Sequence, residues 1–407
     1  MPILSIFKST VLLLFLVFTS CKGQQKETFS TSEPTIEAPA PIKVAANRTE
    51  IYLPLLKEKK VGVVANPTSV IFKENGHTHL VDSLLSEGMD VMQVFAPEHG
   101  FRGTADAGEH VKDGVDTQTG LPIISLYGKN RKPSKDQLSG LDVIVFDIQD
   151  VGVRFYTFIA TLQLVMEACA ENNVSLVVLD RPNPNGHYVD GPTMMEEHTS
   201  YLGMNTIPLV YGMTMGEYAK MLNGEGWLEN DSKANLTVIE LENYTHDSEY
   251  HLPIRPSPNL PNDTSITLYP SLGLFEGTNV NAGRGTEFQF QRYGASFMDS
   301  TQYDFSYVPE PNFGSKYPKE EGKTCYGRDL SKTPRMHEVT MKWVIDAYYN
   351  TLDKSKFFLT SGFTKHAGTP LLQKQIEQGM TNEEIKATWH DDLESFKKIR
   401  TKYLIYD

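Results

Sequence analysis

The chain has 407 residues, with 38 Lys and Arg against 51 Asp and Glu, a net charge of −13 and length enough for two or three domains. That acidic balance excludes a nucleic-acid binder working by phosphate neutralisation, and three cysteines exclude a disulfide scaffold. With 40% hydrophobic and 22% charged residues, an ordinary buried core is expected and wholesale disorder is not.

The first residues carry one charge, Lys8, then an apolar run over 11–18 that stops at Thr19-Ser20-Cys21. The run is short for a membrane span but suits the apolar region of a secretory signal. Small residues followed by cysteine look like a bacterial lipobox, with Phe18 where Leu is commoner. Residues 1–20 are therefore expected to be removed, leaving Cys21 lipidated as the first mature residue. The alternative is an ordinary secretory signal with an incidental cysteine. Residues 21–47 then supply the lipidated cysteine and a tether, rich in Gln, Lys, Glu, Thr and Ser and broken by Pro34, Pro39 and Pro41. About 25 flexible residues reach roughly 25–30 Å. The expected location is outside the cytoplasm, anchored to a bacterial membrane and facing the periplasm.

Short apolar runs at 61–65, 91–96, 123–126, 143–148, 176–179 and 238–241 predict strands. Between them, 79–87, 155–169 and 215–222 predict helices. In the second, Phe155, Ile159, Leu162, Met166 and Cys169 recur at helical spacing; the third opens on a Thr214/Glu217 capping box. Continuous apolar strands alternating with helices indicate an α/β domain with a Rossmann-like, doubly wound, mostly parallel sheet over 48–244. After about residue 245, Pro, Gly, Asn and Tyr become frequent. Helices are expected at 339–349, 370–378 and 383–403, the last behind a Thr381/Glu384 capping box. Residues 245–407 read as a second, auxiliary α+β domain completing a cleft. No G-x-G-x-x-G follows the first strand, so no dinucleotide and no other cofactor is expected.

Ligands of doubly wound sheets bind beyond the carboxyl ends of the strands, and the polar clusters lie there. They are A-P-E-H-G-F-R-G (96–103), D-I-Q-D-V-G-V-R-F-Y-T (147–157) and L-D-R-P-N-P-N-G (179–186). The C-terminal part adds R-P-S-P-N-L-P-N (255–262), Y-P (269–270), F-E-G-T-N (275–279) and A-G-R-G-T-E-F (282–288). G-x-S-x-G, H-E-x-x-H and paired C-x-x-C are all missing, which points away from a serine elbow and from zinc and toward carboxylate chemistry. Glu98 is the leading candidate, with His99, Asp147 and Asp150 as further catalytic candidates and Glu276 and Glu287 as other possible second carboxylates. Arg154, Arg255 and Arg284 could neutralise an anionic substrate; Tyr127, Tyr156 and Tyr269 could line a sugar face. Arg102, Gln149, Asp180, Arg181, Asn183, Asn259 and Asn279 complete the substrate-binding candidates. Structural alternatives stand beside these: Asp147 and Asp150 as helix caps, Asp180 with Arg181 as a loop ion pair, Glu98 paired to Arg102, and Gly152, Gly283 and Gly285 serving backbone geometry. Cys169 is read as buried, and His79 as the start of a helix.

A-P-E-H-G-F-R-G, S-L-Y-G (125–128), D-I-Q-D-V-G-V-R-F-Y-T, L-D-R-P-N-P, R-P-S-P-N-L-P, E-G-T-N and G-R-G-T run in one order over about 60–300 and resemble the NamZ family of exo-β-N-acetylmuramidases. The resemblance implies a Rossmann-like domain, a C-terminal auxiliary domain and a cleft between them. It implies release of non-reducing terminal N-acetylmuramic acid from muropeptide-derived saccharides, with the P-E-H-G glutamate, here Glu98, as catalytic residue. Asn-Ala-Gly-Arg at 281–284 departs from the expected residue ahead of that glycine. Two other readings remain: a lipoprotein that binds cell-wall fragments without cutting them, and a metal-assisted hydrolase using Glu98, His99 and Asp147.

Overall fold

The computed structural model describes residues 40–102 and 113–407. The expected signal segment, Cys21, most of the expected tether and Gly103 of the first polar cluster lie outside the described residues.

Strands β1 (Lys60–Ala65), β4 (Asp90–Ala96), β6 (Pro122–Ser125), β7 (Val143–Asp147), β8 (Ser175–Leu179) and β9 (Leu236–Ile239) form a parallel sheet. Its order is β6-β4-β1-β7-β8-β9, with the short β5 (Gly114–Val115) antiparallel on the β6 edge. Relabelled by occurrence, the six parallel strands read 3-2-1-4-5-6, the doubly wound order of Rossmann sheets. The remaining N-terminal strands, β2 (Val70–Lys73) and β3 (Gly76–His79), make a separate hairpin.

The strands look continuously apolar because alternate side chains enter two different cores. Val61, Val63, Val143, Val145, Val177 and Leu179 join one core, with α1 (Thr49–Leu56) and α2 (Leu80–Ser86). Val64, Phe95, Ile144, Phe146, Leu176 and Val178 join the other, with α4 (Phe158–Asn172) and α5 (Met215–Gly224). A short α3 (Lys135–Leu138) sits between β6 and β7. The second core also takes in the C-terminal part: α6 (Asp263–Leu272), the antiparallel sheet β10 (Arg292–Ala295), β12 (Cys325–Asp329) and β11 (Phe305–Tyr307), and residues of α7 (Lys342–Tyr349), α8 (Thr360–Ala367), α9 (Leu371–Glu377), α10 (Asn382–Ala387) and α11 (His390–Arg400). That is why α4 is buried on nearly every face, Cys169 included.

Both expected capping boxes form: Thr214 with Glu217 on α5, and Thr381 with Glu384 on α10. Three expectations change. The helix predicted from 155 starts at Phe158, because residues 150–157 are a loop. The helix over 383–403 divides at Thr388, whose hydroxyl bonds back to the Ile385 carbonyl while Trp389 turns into the core. Residues 41–47, read as tether, belong to the body: Ala45 and Ala46 are buried and Lys43 pairs with Glu242 across a short bridge.

Candidate active site

Glu98 sits in the turn that ends β4. His99 and Gly100 both take left-handed backbone (φ 71° and 79°), a sharp reversal closed by Gly100 N–H donating to the Pro97 carbonyl at 3.0 Å. The reversal leaves the half-buried Glu98 carboxylate at the start of α4. There the Thr157 hydroxyl donates to Glu98 Oε2 at 3.0 Å instead of capping its own helix. The Tyr127 hydroxyl donates to Glu98 as well; burial and then the Glu98 charge push its phenol up to about 12, so it stays a donor. A helix N-terminus and two hydroxyl donors hold this carboxylate in one place.

The other wall comes from the C-terminal part. Glu276 pairs with Arg284 at 3.0 Å. Burial pushes the Glu276 carboxyl upward, yet Arg284 and then Lys319 bring it below the ordinary range, so it is ionised at neutral pH. Lys319 straps the backbone beneath it, donating to the carbonyls of Phe275, Glu276 and Thr278 at 3.0, 3.0 and 2.6 Å. Arg284 stands between two left-handed glycines, Gly283 (φ 80°) and Gly285 (φ 79°); a Cβ on Gly283 would meet the Phe288 carbonyl at 2.3 Å. Asn281, one residue before the departure at Ala282, donates from Nδ2 to the Arg284 carbonyl at 2.9 Å and accepts from Gly283 N–H, tying that turn together. His366, on α8, bonds through Nδ1 to the Gly362 carbonyl at 2.9 Å, and burial lowers its pKa, so the ring is neutral.

Glu98, His99, Tyr156, Asn259, Tyr269, Glu276 and Arg284, seven of the sequence candidates, line one cavity of about 160 Å³. Phe155, Tyr156 and Tyr269 pack edge to face around it, at 5.1 and 6.0 Å between centroids. Asn259 is held by Nδ2 donating to the Gly314 carbonyl at 2.7 Å.

The other candidates lie elsewhere, each for a physical reason. Arg154 is fully buried and donates to the carbonyls of Pro192, Ile207 and His366 at 2.8–2.9 Å, so it meets no substrate. Asp147 is fully buried against Arg181, at 2.6 and 2.9 Å; this replaces both the helix-cap reading and the Asp180–Arg181 pair. Asp150 accepts from Gly152 N–H at 2.6 Å and from the Tyr211 hydroxyl, and burial pushes its carboxyl up to about 6. Gln149 donates to the Asp150 and Pro182 carbonyls, and Asn183 to the Met213 carbonyl. Asp180 receives Gly216 N–H, the Thr214 hydroxyl and the Tyr406 hydroxyl, pinning α5 and the chain's last residues. Arg102 is bidentate to Asp116 and to Asp82, so it is not the partner of Glu98. Asn279 donates to the Lys356 carbonyl, and Arg255 and Glu287 are exposed outside the cavity lining. No group of His, Cys, Asp or Glu suited to a metal occurs among the described residues, and Asp147 does not join Glu98 and His99. His79 starts α2, accepting from Val81 N–H.

Thr157, Lys319 and His366 went unrecognised in the sequence. Thr157 closes a string already singled out. His366 sits on α8, a helix whose composition gave no periodic signal.

Two family models of the exo-β-N-acetylmuramidase NamZ match, its N-terminal part over residues 61–264 and its C-terminal part over 267–406. The chain belongs to the NamZ family. Among NamZ relatives, it is 38% identical over 377 residues to the peptidoglycan β-N-acetylmuramidase NamZ of Bacillus subtilis (strain 168), covering 87% of this chain and 89% of that one. Two crystal structures of DUF1343 family proteins from Bacteroides fragilis NCTC 9343 share the fold. One superposes with a TM-score of 0.82 at 42% identity and the other with 0.73 at 27%; each match covers 90% of this chain and 99% of the other.

Proposed function

We propose that this protein is an exo-acting glycoside hydrolase that releases N-acetylmuramic acid from the non-reducing ends of peptidoglycan fragments. One observation carries the reading: Glu98 and the Glu276–Arg284 pair, 178 positions apart in sequence, line the same cavity in a member of the NamZ family. Glycoside cleavage needs a proton donor at the leaving oxygen and a second group to stabilise or attack the cation-like sugar. Glu98, steadied by Thr157 and Tyr127, is the acid/base. Glu276, ionised, is the other carboxylate lining this cavity among the described residues, and it stabilises the positive charge that develops at the anomeric carbon. Arg284 is the cavity's arginine and matches the lactyl carboxylate that distinguishes muramic acid from N-acetylglucosamine. The test is hydrolysis of 4-nitrophenyl N-acetylmuramide beside the matching N-acetylglucosaminide by protein lacking residues 1–21. Turnover of the first alone is expected; equal turnover of both discards muramic specificity.

We further propose that residues 1–20 direct export and that Cys21 is lipidated, anchoring the protein to a bacterial membrane on its periplasmic side. Because the body begins at about residue 41, the tether spans about 20 residues, a reach of roughly 25 Å. Labelled palmitate should enter the native chain and not Cys21→Ser. Equal labelling removes the anchor.

A further inference from the structure

His366 has one nitrogen engaged and one open. Nδ1 bonds to the Gly362 carbonyl one turn back on α8, so Nδ1 carries the proton and Nε2 carries a lone pair. Nε2 has no hydrogen-bond partner among the described residues, and the side chain lines the cavity next to Glu276 and Phe155. Phe155 packs on the ring at 5.4 Å between centroids. The Arg154 guanidinium donates to the His366 carbonyl at 2.9 Å, so the backbone under this side chain is clamped by a buried residue of the N-terminal part. An oriented acceptor with nothing to accept is a binding feature.

The substrate class limits what can donate to it. In a terminal N-acetylmuramic acid, O3 is an ether to the lactyl group and carries no proton. The donors left are the O4 and O6 hydroxyls and the acetamide N–H, the last on C2 next to the anomeric carbon. Glu98 marks where the anomeric carbon must sit, on the wall built from β4 and α4. His366 lines the same cavity from α8, in the other part of the chain, and O4 lies across the sugar ring from the anomeric carbon. In a polymer, O4 is the atom through which the preceding sugar is attached, so it bears a proton only at a non-reducing end.

We infer that His366 Nε2 accepts a hydrogen bond from the free 4-hydroxyl of the terminal N-acetylmuramic acid and is the residue that makes the enzyme exo-acting. This rests on the muramidase reading and names the group that reads the chain end. A glycosylated O4 offers no proton to Nε2. His366 is a specificity-determining residue; it takes no part in bond breaking.

Two substrates and two variants test this. Native enzyme should hydrolyse the 4-deoxy analogue of 4-nitrophenyl N-acetylmuramide about 10- to 100-fold less efficiently (kcat/KM) than the parent, since the acceptor is then left unpaired beneath the bound sugar. The 6-deoxy analogue should stay within about threefold of the parent. His366→Phe should lose about the same factor on the parent and lose nothing further on the 4-deoxy analogue, while His366→Gln, which restores an acceptor, should regain part of it. If His366→Phe slows both substrates equally and leaves the 4-deoxy penalty intact, the residue is merely structural and the inference fails. A penalty on the 6-deoxy analogue in place of the 4-deoxy one overturns it too. Calorimetric binding of N-acetylmuramic acid and its 4-deoxy form reads the same contact without turnover, so an inactive native enzyme would refute the muramidase reading alone.

Discussion

Glu98→Gln removes a proton and a charge while keeping shape. The amide oxygen can still accept from the Thr157 hydroxyl, now 3.0 Å from Oε2, so that donor is not orphaned. Folding should therefore change little, with the thermal midpoint within a degree or two. Catalysis should change a great deal. A positioned acid/base contributes about 10²- to 10⁴-fold, and at 1.36 kcal/mol per tenfold that is about 2.7–5.4 kcal/mol of barrier. The loss depends on the leaving group. A disaccharide must be protonated at its glycosidic oxygen, so the variant should lose the full factor in kcat on an N-acetylmuramyl-N-acetylglucosamine substrate. A 4-nitrophenyl group departs as a stable anion, so the loss there should be smaller by at least tenfold if Glu98 acts chiefly as the acid. Steady-state rates on both substrates, with circular dichroism as the folding control, decide the matter. Disaccharide hydrolysis within tenfold of native by Glu98→Gln would refute the assignment.

Breaking the buried Asp147–Arg181 pair by Arg181→Met strands a carboxylate with 0% exposure and should cost about 3–5 kcal/mol in urea unfolding; a cost under 1 kcal/mol would make the pair dispensable. Gly277→Ala puts a methyl 2.3 Å from the Phe363 Cα, forcing α8 away from the turn that carries Glu276, and should cost about 1–3 kcal/mol with a rise in KM as His366 moves. Unchanged KM would uncouple α8 from the cavity. Asp150 gives a pH signature. Its carboxyl, raised by burial from 3.8 to about 6, keeps in the folded chain a proton that the unfolded chain releases, so its contribution is full below pH 3.8 and is lost as pH rises to about 6. Asp150→Asn should remove a downward slope of up to about 1.4 kcal/mol per pH unit from the stability profile in that window, and an identical profile would show Asp150 to be ionised throughout.

The strand-and-helix texture was legible because two cores, one on each sheet face, leave no polar alternation in the strands, and only a doubly wound sheet needs that. The antiparallel β10-β12-β11 sheet was not legible: its strands are three to five residues long and contain Arg292, Gly294, Gly327 and Arg328, which erase any period-two signal. The site was half legible, and the string at 147–157 shows why. Its conspicuous residues are charged, and they build the loop. Asp147 neutralises Arg181, Asp150 holds Gly152 N–H, and Arg154 collects three backbone carbonyls from distant segments. Only the ordinary-looking end of the string, Phe155, Tyr156 and Thr157, lines the cavity, and Thr157 reaches Glu98. A side chain that can satisfy many backbone groups at once is recruited first for rigidity, so charge in a recognisable string marks what must not move. The groups that meet the substrate stand next to it.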